Sequence, residues 1–334
     1  MKMTAVYLVP TRDGGIYEYQ QVRRPKPSGS QVLVQVHASG TNRGELLMVG
    51  GFHSSNPRLK AIASGIEFAG KIIEVGDDAT GWHIGERVMA RSGGGYAEYA
   101  LASSASLLRI PNTLSYAEAA CVPNIFITSH DALVTNAQIA SGDHVVITAA
   151  SSGIGTACIQ LAKFFGAATV TATSRDPAKS VRLLSAGADV VINTSEPGYP
   201  DKVRAATAGH GADIIIDSVG GPMFTDNLDA LAIQGTLVSV GRNGGQISNI
   251  NLDELANKRA RLIGTTFRTR TPQETWRCFE VFAEDCMEAF ANGALKPVLD
   301  RTFPFTDLHQ AHAYMLSDAQ VGKIVLVNEW PNSD

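Results

Sequence analysis

Between residues 144 and 264 the sequence alternates short apolar runs with helical patterns. Each run has the length of a buried strand, and the stretches between runs carry apolar residues at helical spacing. Strands that are joined by helices form parallel sheets with helices on both faces. The pattern therefore predicts a doubly wound α/β domain with strands at 144–149, 169–173, 189–192, 212–217, 235–240 and 260–264.

The first of these strands leads into a turn of small residues and then into a helical pattern. Such a turn accommodates phosphate, because the free amide groups and the dipole of the helix N-terminus face the ligand. The glycine template of dinucleotide sites falls on Ala150, Ser152 and Gly155, with Gly153 as an additional glycine. Only the last template position is a glycine, so two interpretations remain: a cofactor cradle, which we favour, and an ordinary strand–turn–helix unit.

The end of the second strand indicates which dinucleotide is bound. Ser174 and Arg175 follow this strand, and Lys179 comes one helical turn later. A guanidinium matches a ribose 2′-phosphate, whereas a carboxylate at this place holds the 2′-hydroxyl. The sequence therefore favours NADP(H) over NAD(H). In the alternative interpretation Asp176 binds the ribose, and the two basic side chains are solvated surface charges.

Composition excludes several classes of partner. The chain has 334 residues, of which 18% are charged, and a net charge of −4. Nothing in this balance points to nucleic acid or a membrane surface, and no stretch reaches transmembrane length. The four cysteines are scattered, and the N-terminus lacks the pattern of a signal peptide. We therefore expect a cytoplasmic protein with free thiols and a small-molecule partner.

Residues before about 122 follow a different pattern, in which short strands are separated by turns. Alternating polar and apolar residues, with glycine or proline at the joints, predict a partly closed antiparallel β domain. After residue 264 we expect helices at about 272–291 and 306–317 and a last strand at 323–327, which returns to the first domain. The predicted strands of the first domain lie at 3–9, 31–38, 67–75, 86–90 and 96–102.

Several short motifs follow one another in a characteristic order: Gly65-Ile-Glu-Phe-Ala-Gly70, Gly85-Glu-Arg-Val88, Gly94-Gly-Tyr-Ala-Glu-Tyr99, Ala149-Ala-Ser-Ser-Gly-Ile-Gly155, Asp217-Ser-Val-Gly220 and Gly322-Lys-Ile-Val-Leu326. With them the chain resembles the medium-chain dehydrogenase/reductase superfamily over nearly its whole length, and within it the zinc-free quinone oxidoreductase (ζ-crystallin-like) branch. The resemblance implies a Rossmann cofactor domain at 125–264, inserted into a split, mainly antiparallel β (GroES-like) catalytic domain at 1–124 and 265–334.

The resemblance also allows the expected positions of zinc ligands to be compared with the residues of this chain. In the zinc alcohol dehydrogenases to which the chain is similar, the first catalytic cysteine falls at Asn42 and a ligand histidine at Ile66. The cysteine-rich lobe that would follow Val88 is missing, and zinc needs three or four converging ligands. We therefore predict no metal. Without this Lewis acid, acceptors that take hydride readily are favoured, namely quinones and α,β-unsaturated carbonyls.

The resemblance assigns roles to further residues. Asn42 is the expected donor to the oxygen that gains charge, although an Asx-turn role is equally compatible with its glycine-rich loop. Phe52 stands in the substrate pocket where related enzymes have a tyrosine. The residues expected to bind NADP(H) are Thr128, Ser152, Gly153, Ile154, Gly155, Ser174, Arg175, Lys179, Ser218, Val219, Gly241, Arg242, Phe267 and Arg268.

Two questions stay open on sequence alone. We expect an NADPH-dependent, metal-independent reductase of quinones or α,β-unsaturated carbonyls. The alternatives are an enoyl-thioester reductase and a non-catalytic NADPH-binding protein, because fold alone does not prove catalysis. We also expect a homodimer, since the strands at 235–240 and 260–264 should form one edge of the parallel sheet and edge strands invite pairing.

Overall fold

The computed structural model describes residues 1–52, 54–56 and 58–330. The chain divides into two compact units, Met1–Asn124 with Phe279–Asp334 and Ile125–Cys278. The strands are β1 (Lys2–Thr11), β2 (Gly14–Arg23), β3 (Gln31–Gly40), β4 (Ile62–Ala63), β5 (Phe68–Val75), β6 (Arg87–Ala90), β7 (Tyr99–Ser103), β8 (Leu107–Arg109), β9 (His144–Ile147), β10 (Thr169–Ser174), β11 (Val190–Asn193), β12 (Ala212–Asp217), β13 (Leu231–Ser239), β14 (Arg261–Gly264), β15 (Leu299–Pro304) and β16 (Lys323–Val327).

The α-helices lie between these strands, and short 3₁₀ turns and one π-helix at Asp131–Asn136 complete the elements. No helix in the described part of the chain combines the length and apolar character that crossing a bilayer requires. The α-helices are α1 (Arg43–Gly51), α2 (Tyr116–Ala119), α3 (Ile125–His130), α4 (Gly153–Phe164), α5 (Ser180–Ser185), α6 (Tyr199–Ala206), α7 (Phe224–Ala230), α8 (Leu252–Lys258), α9 (Pro272–Ala291) and α10 (Leu308–Leu316).

The unit formed by Ile125–Cys278 contains a six-stranded sheet in the order β11-β10-β9-β12-β13-β14. All its pairs are parallel. The central strands pair Val145 with Ile214 and Val146 with Ile215, and these four side chains are almost fully buried. Near-continuous apolar strands of this kind require helices on both faces. The predicted doubly wound sheet is confirmed, and the strand order changes direction at β9 and β12, where such sheets bind ligands.

The other unit is built mainly of antiparallel strands. Its larger sheet has seven strands, in the order β15-β16-β3-β5-β6-β8 with β7 also paired to β3, and a smaller sheet has the order β2-β1-β4. The C-terminal strand returns as predicted, because Leu326 of β16 pairs antiparallel with Ser39 of β3. β15 is parallel to β16 and is the last strand at this edge of the larger sheet. The expected split β domain is thereby confirmed in its architecture.

Some predicted elements differ from the observed ones. Strand β2 and helix α1 were not expected, although Asn42 and Glu45 have the spacing of a capping box at the start of α1. The chain between β8 and β9 forms α2, α3 and a π-helix, with Pro123 between the first two. A proline lacks the amide that a continuous helix needs, which accounts for the interruption.

The second change of unit lies further along the chain than the predicted domain boundary at 265. Residues 265–278 belong to the same unit as α3 and the parallel sheet. Two side-chain contacts connect this segment with the unit: the buried carboxylate of Asp131 accepts hydrogen bonds from Thr265 Oγ1 at 3.2 Å and from Arg270 Nη2 at 2.6 Å. The first change of unit follows Asn124. The functional assignment of these domains stays a prediction.

Candidate active site

The turn after β9 has the geometry of a phosphate-binding turn. Ser152 is the N-cap of α4, and its Oγ accepts a hydrogen bond from the Gly155 amide at 3.0 Å. A Cβ at Gly155 would lie 2.4 Å from the Ala150 carbonyl oxygen, so only glycine lets the helix pack this closely on the turn. The first amides of a helix have no partner within it. The structure thus places Ser152, Gly153, Ile154 and Gly155 together at one helix N-terminus.

Strand β10 ends at Ser174, and the chain then turns around a serine–aspartate contact. Ser174 Oγ accepts a hydrogen bond from the Asp176 amide at 3.1 Å, and Asp176 Oδ1 accepts one from the Ala178 amide at 2.9 Å. The strand ends one residue later than predicted, a register that favours Asp176 as ribose partner. One oxygen of the Asp176 carboxylate caps the 3₁₀ helix that starts at Pro177, and both Arg175 and Asp176 are exposed.

Lys179 connects this region with the phosphate-binding turn. Its Nζ donates a hydrogen bond to Ser151 Oγ at 3.5 Å, and Ser151 directly precedes the N-cap Ser152. Because Lys179 lies on the segment after β10 and Ser151 on the segment after β9, the contact brings two predicted cofactor segments together.

The turns after β12 and β13 form another pair of predicted segments. The Val219 carbonyl oxygen accepts a hydrogen bond from the Gly244 amide at 2.8 Å. A Cβ at Gly241 would lie 2.9 Å from the Ser218 carbonyl oxygen, so the two turns pack backbone against backbone. Arg242 is exposed on the second turn. Ser218, Val219 and Gly241 are therefore neighbours, as the sequence predicts for residues at the carboxyl ends of adjacent parallel strands.

The remaining predicted cofactor residues lie on α3 and on the segment after β14. Thr128 is half-buried, and all the remaining residues of α3 are buried. The Arg270 guanidinium lies over the Phe267 ring, 4.6 Å from its centroid, and forms an ion pair with buried Asp131 at 2.6 Å. This ion pair fixes the segment of Phe267 and the exposed Arg268 to the residue that follows α3.

In the unit of antiparallel strands, Asn42 belongs to a largely buried hydrogen-bond network. Its Oδ1 accepts hydrogen bonds from Lys323 Nζ at 3.0 Å and from Asn124 Nδ2 at 2.9 Å. Its Nδ2 donates to Glu67 Oε1 at 3.0 Å and makes a longer contact of 3.4 Å with the Gly40 carbonyl oxygen. A carboxamide nitrogen carries two hydrogens. The side chain is therefore fixed in orientation, and one N–H has only the long contact.

Two of the residues that bind the Asn42 side chain, Lys323 and Glu67, form an ion pair with each other. The Nζ–Oε1 distance is 2.6 Å, and the two side chains are 3% and 0% exposed. The ammonium also donates to the Thr41 carbonyl oxygen at 2.6 Å, and Glu67 Oε2 accepts a hydrogen bond from the Asn124 amide at 2.8 Å. A buried ion pair persists only when further hydrogen bonds compensate the lost hydration. This condition is met here, because the Lys323 ammonium and the Glu67 carboxylate each have further hydrogen-bond partners.

Glu45 is a second buried carboxyl group in this unit. Its Oε2 accepts hydrogen bonds from the Asn42 amide at 2.9 Å and from the Tyr96 hydroxyl at 2.7 Å. Burial raises the pKa of Glu45 to about 7, although these hydrogen bonds and the positive charge of Lys323 act in the opposite direction. Asn42 is also the N-cap of α1.

Phe52 lies in a hydrophobic core of the same unit. It is 6% exposed, and this core also contains Leu8, Tyr17 and Tyr96. Its observed role is packing, and its contact with a substrate stays a prediction.

The described residues contain no group of three or more His, Cys, Asp or Glu side chains with the geometry to hold a metal ion. Asn42 and Ile66, at the places of two zinc ligands, offer a carboxamide and an aliphatic chain. Metal independence itself stays a prediction.

The residues present in the unit of parallel strands fit a dinucleotide. The predicted phosphate, ribose and nicotinamide segments follow β9, β10, β12 and β13, which are neighbours in one sheet. Glycine at 155 and 241 lets backbone approach backbone where any Cβ would clash. Sequence analysis missed several polar residues of both units, although a lysine at the start of an otherwise apolar strand, and an aspartate at the end of one, are signals of buried charge. Asp131 and Asp217 support the segments of the parallel unit, and Glu67, Asn124 and Lys323 surround Asn42 in the antiparallel unit.

Comparison with known proteins agrees with this architecture. The family described as alcohol dehydrogenase GroES-like domain matches residues 28–112, and that described as zinc-binding dehydrogenase matches residues 153–284. The quinone oxidoreductase of Homo sapiens is 31% identical over 306 residues, which are 91% of this chain and 91% of that protein.

Two solved structures extend the comparison. A mycobacterial protein complexed with NADPH has a TM-score of 0.86 at 25% identity, over 97% of this chain and 99% of that one. The CurK enoyl reductase has a TM-score of 0.83 at 25% identity, over 97% and 100% of the two chains. The chain therefore belongs to the medium-chain dehydrogenase/reductase superfamily, as a quinone oxidoreductase-like oxidoreductase.

Proposed function

We propose that this protein is an NADPH-dependent reductase that acts without a metal on quinones or α,β-unsaturated carbonyls. The observation that carries the proposal is the fixed carboxamide of Asn42, with one N–H that has only a 3.4 Å contact to a carbonyl oxygen. This N–H is the donor that would bind the substrate oxygen as it gains negative charge. The bound nicotinamide would supply the hydride.

The surroundings of Asn42 suit this role. Lys323 donates to the carboxamide oxygen, and a positive charge there polarises the group, so that its N–H becomes a stronger donor. Asn124 binds the same oxygen and prevents rotation of the amide plane. A donor that is held in place before reaction needs no reorganisation when charge develops, which is the source of its catalytic effect.

Preference for NADPH is supported by the segment after β10. Arg175 is exposed there, and Lys179 reaches the serine before the phosphate-binding turn. Asp176, whose carboxylate would favour NADH, uses one of its two oxygens to cap a 3₁₀ helix. Thr128, Phe267 and Arg268 are proposed to complete the site, with Ser218, Val219, Gly241 and Arg242 beside the nicotinamide half of the cofactor.

A second candidate acceptor is an enoyl thioester, because the enoyl reductase above shares the fold over the whole chain. Its double bond is conjugated to a carbonyl, so the same hydrogen-bond donor would serve. A cytoplasmic location and the absence of a nucleic-acid partner remain predictions, to which the near-neutral composition and the free cysteines are suited.

A panel of substrates tests the proposal. Purified protein is given NADPH with 1,4-benzoquinone, 9,10-phenanthrenequinone, a short enal or an enoyl thioester, and NADP⁺ with a simple alcohol, and absorbance of NADPH is followed. We expect reduction of activated acceptors and little oxidation of the alcohol. Heat-unfolded protein is the control for uncatalysed reduction. NADPH binding without turnover of any acceptor would instead support the non-catalytic alternative.

A further inference from the structure

A buried carboxylate with no assigned role lies at the end of β12. The side chain of Asp217 is fully enclosed. Its Oδ1 accepts hydrogen bonds from the Thr148 hydroxyl at 2.7 Å and from the Val219 amide at 3.0 Å, and its Oδ2 accepts one from the Gly220 amide at 3.0 Å. One carboxylate therefore binds the residue after β9 and two amides of the turn after β12.

The backbone of Asp217 extends this connection to the next strand. Its carbonyl oxygen accepts hydrogen bonds from the Val240 amide at 2.8 Å and from the Gly241 amide at 3.1 Å, directly after β13. Thr148 Oγ1 in turn accepts a hydrogen bond from the Ser218 amide at 2.9 Å. The carboxyl ends of β9, β12 and β13, three neighbours in the sheet, are thus held by one aspartate and one threonine.

The turns after β12 and β13 are also locked to each other. The Gly221 amide donates to the Gly245 carbonyl oxygen at 3.0 Å, which pairs the far ends of the two turns. Gly220 has a φ of 82°, and a Cβ there would lie 2.5 Å from the Gly245 carbonyl oxygen. The two turns are therefore connected to each other, and the carboxylate of Asp217 is one of the groups that connect them to the sheet.

We propose that Asp217, with Thr148 as its partner, is a positioning residue that holds the turns 218–221 and 241–245 in the conformation that binds the dinucleotide. The inference rests on the proposed function, because these turns are the proposed nicotinamide side of the cofactor site. Turns that are ordered before binding do not lose conformational entropy on binding, so the affinity for the cofactor is higher. Asp217 acts through the turns and not by contact with the cofactor.

The chemistry of the carboxylate explains why an isosteric amide is a strong perturbation. An aspartate has only acceptor oxygens, and both oxygens of Asp217 face backbone amides. In Asp217→Asn, either orientation of the new NH₂ group places a donor against the amide of Val219 or of Gly220. The turn must then shift, although the ladder between β9 and β12 keeps its pairs from Ile214 to Ile216.

The same strand supplies a matched control. Asp213 lies at the start of β12, where its Oδ2 accepts a hydrogen bond from the His144 amide at 2.8 Å, at the start of β9. Asp213 and Asp217 thus connect the same two strands at opposite ends of the sheet. Asp213→Asn makes the same substitution at the end that carries no predicted cofactor residue, and the new amide oxygen can still accept the hydrogen bond from the His144 amide.

The experiment measures the dissociation constants of NADPH and NADH by fluorescence titration, together with the unfolding midpoint, for wild type and both variants. We expect Asp217→Asn to weaken both cofactors by about tenfold, the order of effect of one unsatisfied buried donor, with an unchanged ratio between them. Asp213→Asn should leave both constants unchanged. Equal affinities of Asp217→Asn and wild type would overturn the inference.

Variants of Thr148 keep the test decisive if Asp217→Asn does not fold. Thr148→Val removes the hydroxyl that connects β9 with Asp217, and Thr148→Ser keeps it. Loss of affinity in the valine variant with recovery in the serine variant supports positioning, whereas equal losses in both overturn it. Wild-type protein that binds neither cofactor would overturn the proposed function as well. Wild-type binding with no effect of these variants would overturn only the role of Asp217.

Discussion

We propose that Asn42 binds the substrate oxygen and that Arg175 binds the cofactor's 2′-phosphate, and the two residues lie in different surroundings. The carboxamide of Asn42 is held by a charged and largely buried network, in which Lys323 and Glu67 neutralise each other. Removal of either charge would leave the other buried without its partner, which is strongly destabilising. Arg175 is an exposed side chain after a strand. Substitutions at the two positions should therefore affect catalysis and cofactor choice separately.

Asn42→Ala removes the proposed donor to the substrate oxygen. We expect kcat to fall by roughly 10- to 1000-fold, the range seen when one oxyanion donor is lost, with little change in NADPH affinity. Steady-state kinetics with a quinone and a cofactor titration check this. Asn328→Ala is the control, since its carboxamide binds the Val36 and Ala97 carbonyl oxygens and should affect stability only. Full turnover of Asn42→Ala would leave Asn42 with only a structural role in the network of Lys323 and Glu67.

Arg175→Ala removes the proposed partner of the ribose 2′-phosphate. A charge-assisted hydrogen bond of this kind corresponds to roughly 10- to 100-fold in affinity, so NADPH binding should weaken by this factor while NADH binding stays nearly constant. Titration of both cofactors measures the change in their ratio. Arg182→Ala, on the following helix α5, removes the same charge nearby and serves as control. Equal losses for NADPH and NADH, or a wild-type preference for NADH, would contradict the assignment.

The edge strand β14 determines how the parallel sheet can associate. It pairs with β13 on one side and is last in the strand order. Exposed apolar side chains lie before it in the chain, among them Ile247 at 89% and Leu252 at 68% exposure. An open edge beside apolar side chains favours pairing with a second copy, and a two-fold axis closes such a contact. We therefore propose that the protein is a homodimer through β14.

Gly264→Pro tests this interface. The Thr265 amide donates to the Ser239 carbonyl oxygen at 3.1 Å, and successive amides of a strand point to opposite sides, so the Gly264 amide points away from β13. Proline removes this outward donor without touching the pair with β13. Sedimentation velocity at micromolar concentration should show a dimer for wild type and for the control Gly264→Ala, and more monomer for Gly264→Pro. A monomeric wild type would refute the prediction.

The antiparallel unit depends on both ends of the chain. Its larger sheet is complete only when β16, near the C-terminus, pairs with β3. The network of Asn42 spans the same distance, because Lys323 and Glu67 are 256 positions apart in sequence. Contacts of such separation cost loop-closure entropy before they contribute to stability. The proposed active residue Asn42 is therefore positioned by the tertiary structure of the whole unit.

Metal independence is a property of the whole molecule that analysis of the metal content can check. Asn42 and Ile66 replace two expected ligands, and the described residues contain no alternative cluster. Elemental analysis of purified protein should find far less than one zinc per chain, and chelators should leave quinone reduction unchanged. Stoichiometric zinc, or loss of activity that added zinc restores, would contradict the prediction.

The pH dependence of stability should reveal buried histidines. Burial lowers the pKa of His37 and of His312 to about 4, from 6.5, so both stay neutral in the folded protein while the unfolded chain takes up protons. Their contribution to stability is complete above pH 6.5 and is lost as the pH falls toward 4. Glu45 acts in the opposite direction, because its raised pKa of about 7 costs stability as the pH rises above 4.5.

His312→Phe isolates one of these contributions. The ring lies 5.0 Å from that of Tyr17, and Nε2 has no hydrogen-bond partner, so phenylalanine can keep the packing without the titration. Urea unfolding between pH 4.5 and 7.5 should show that the free energy of unfolding of the variant falls less steeply below pH 6.5, by roughly 1 kcal/mol per pH unit. Parallel pH profiles for the variant and wild type would show that His312 titrates normally.

The sequence alone determined the class of fold, and it also indicated the places of the proposed cofactor segments. The evidence came from local patterns, each of which can be recognised from residues close together in the sequence. These patterns are the alternation of strands and helices, the turn at Ser152–Gly155 and the basic residues after β10. The six-stranded parallel sheet and the returning C-terminal strand follow from these patterns. Helix α1 was predictable too, from the spacing of Asn42 and Glu45, but glycines on either side obscured it.

Only the tertiary structure decided what holds these segments in place. The partners of Asn42, the carboxylate of Asp217 at the ends of three strands and the pairing of Asp131 with Arg270 join residues that are far apart in the chain. A buried charge is stable only beside a partner of opposite charge or several donors, and local sequence does not contain that partner. Its identity depends on which strands become neighbours, which folding alone establishes.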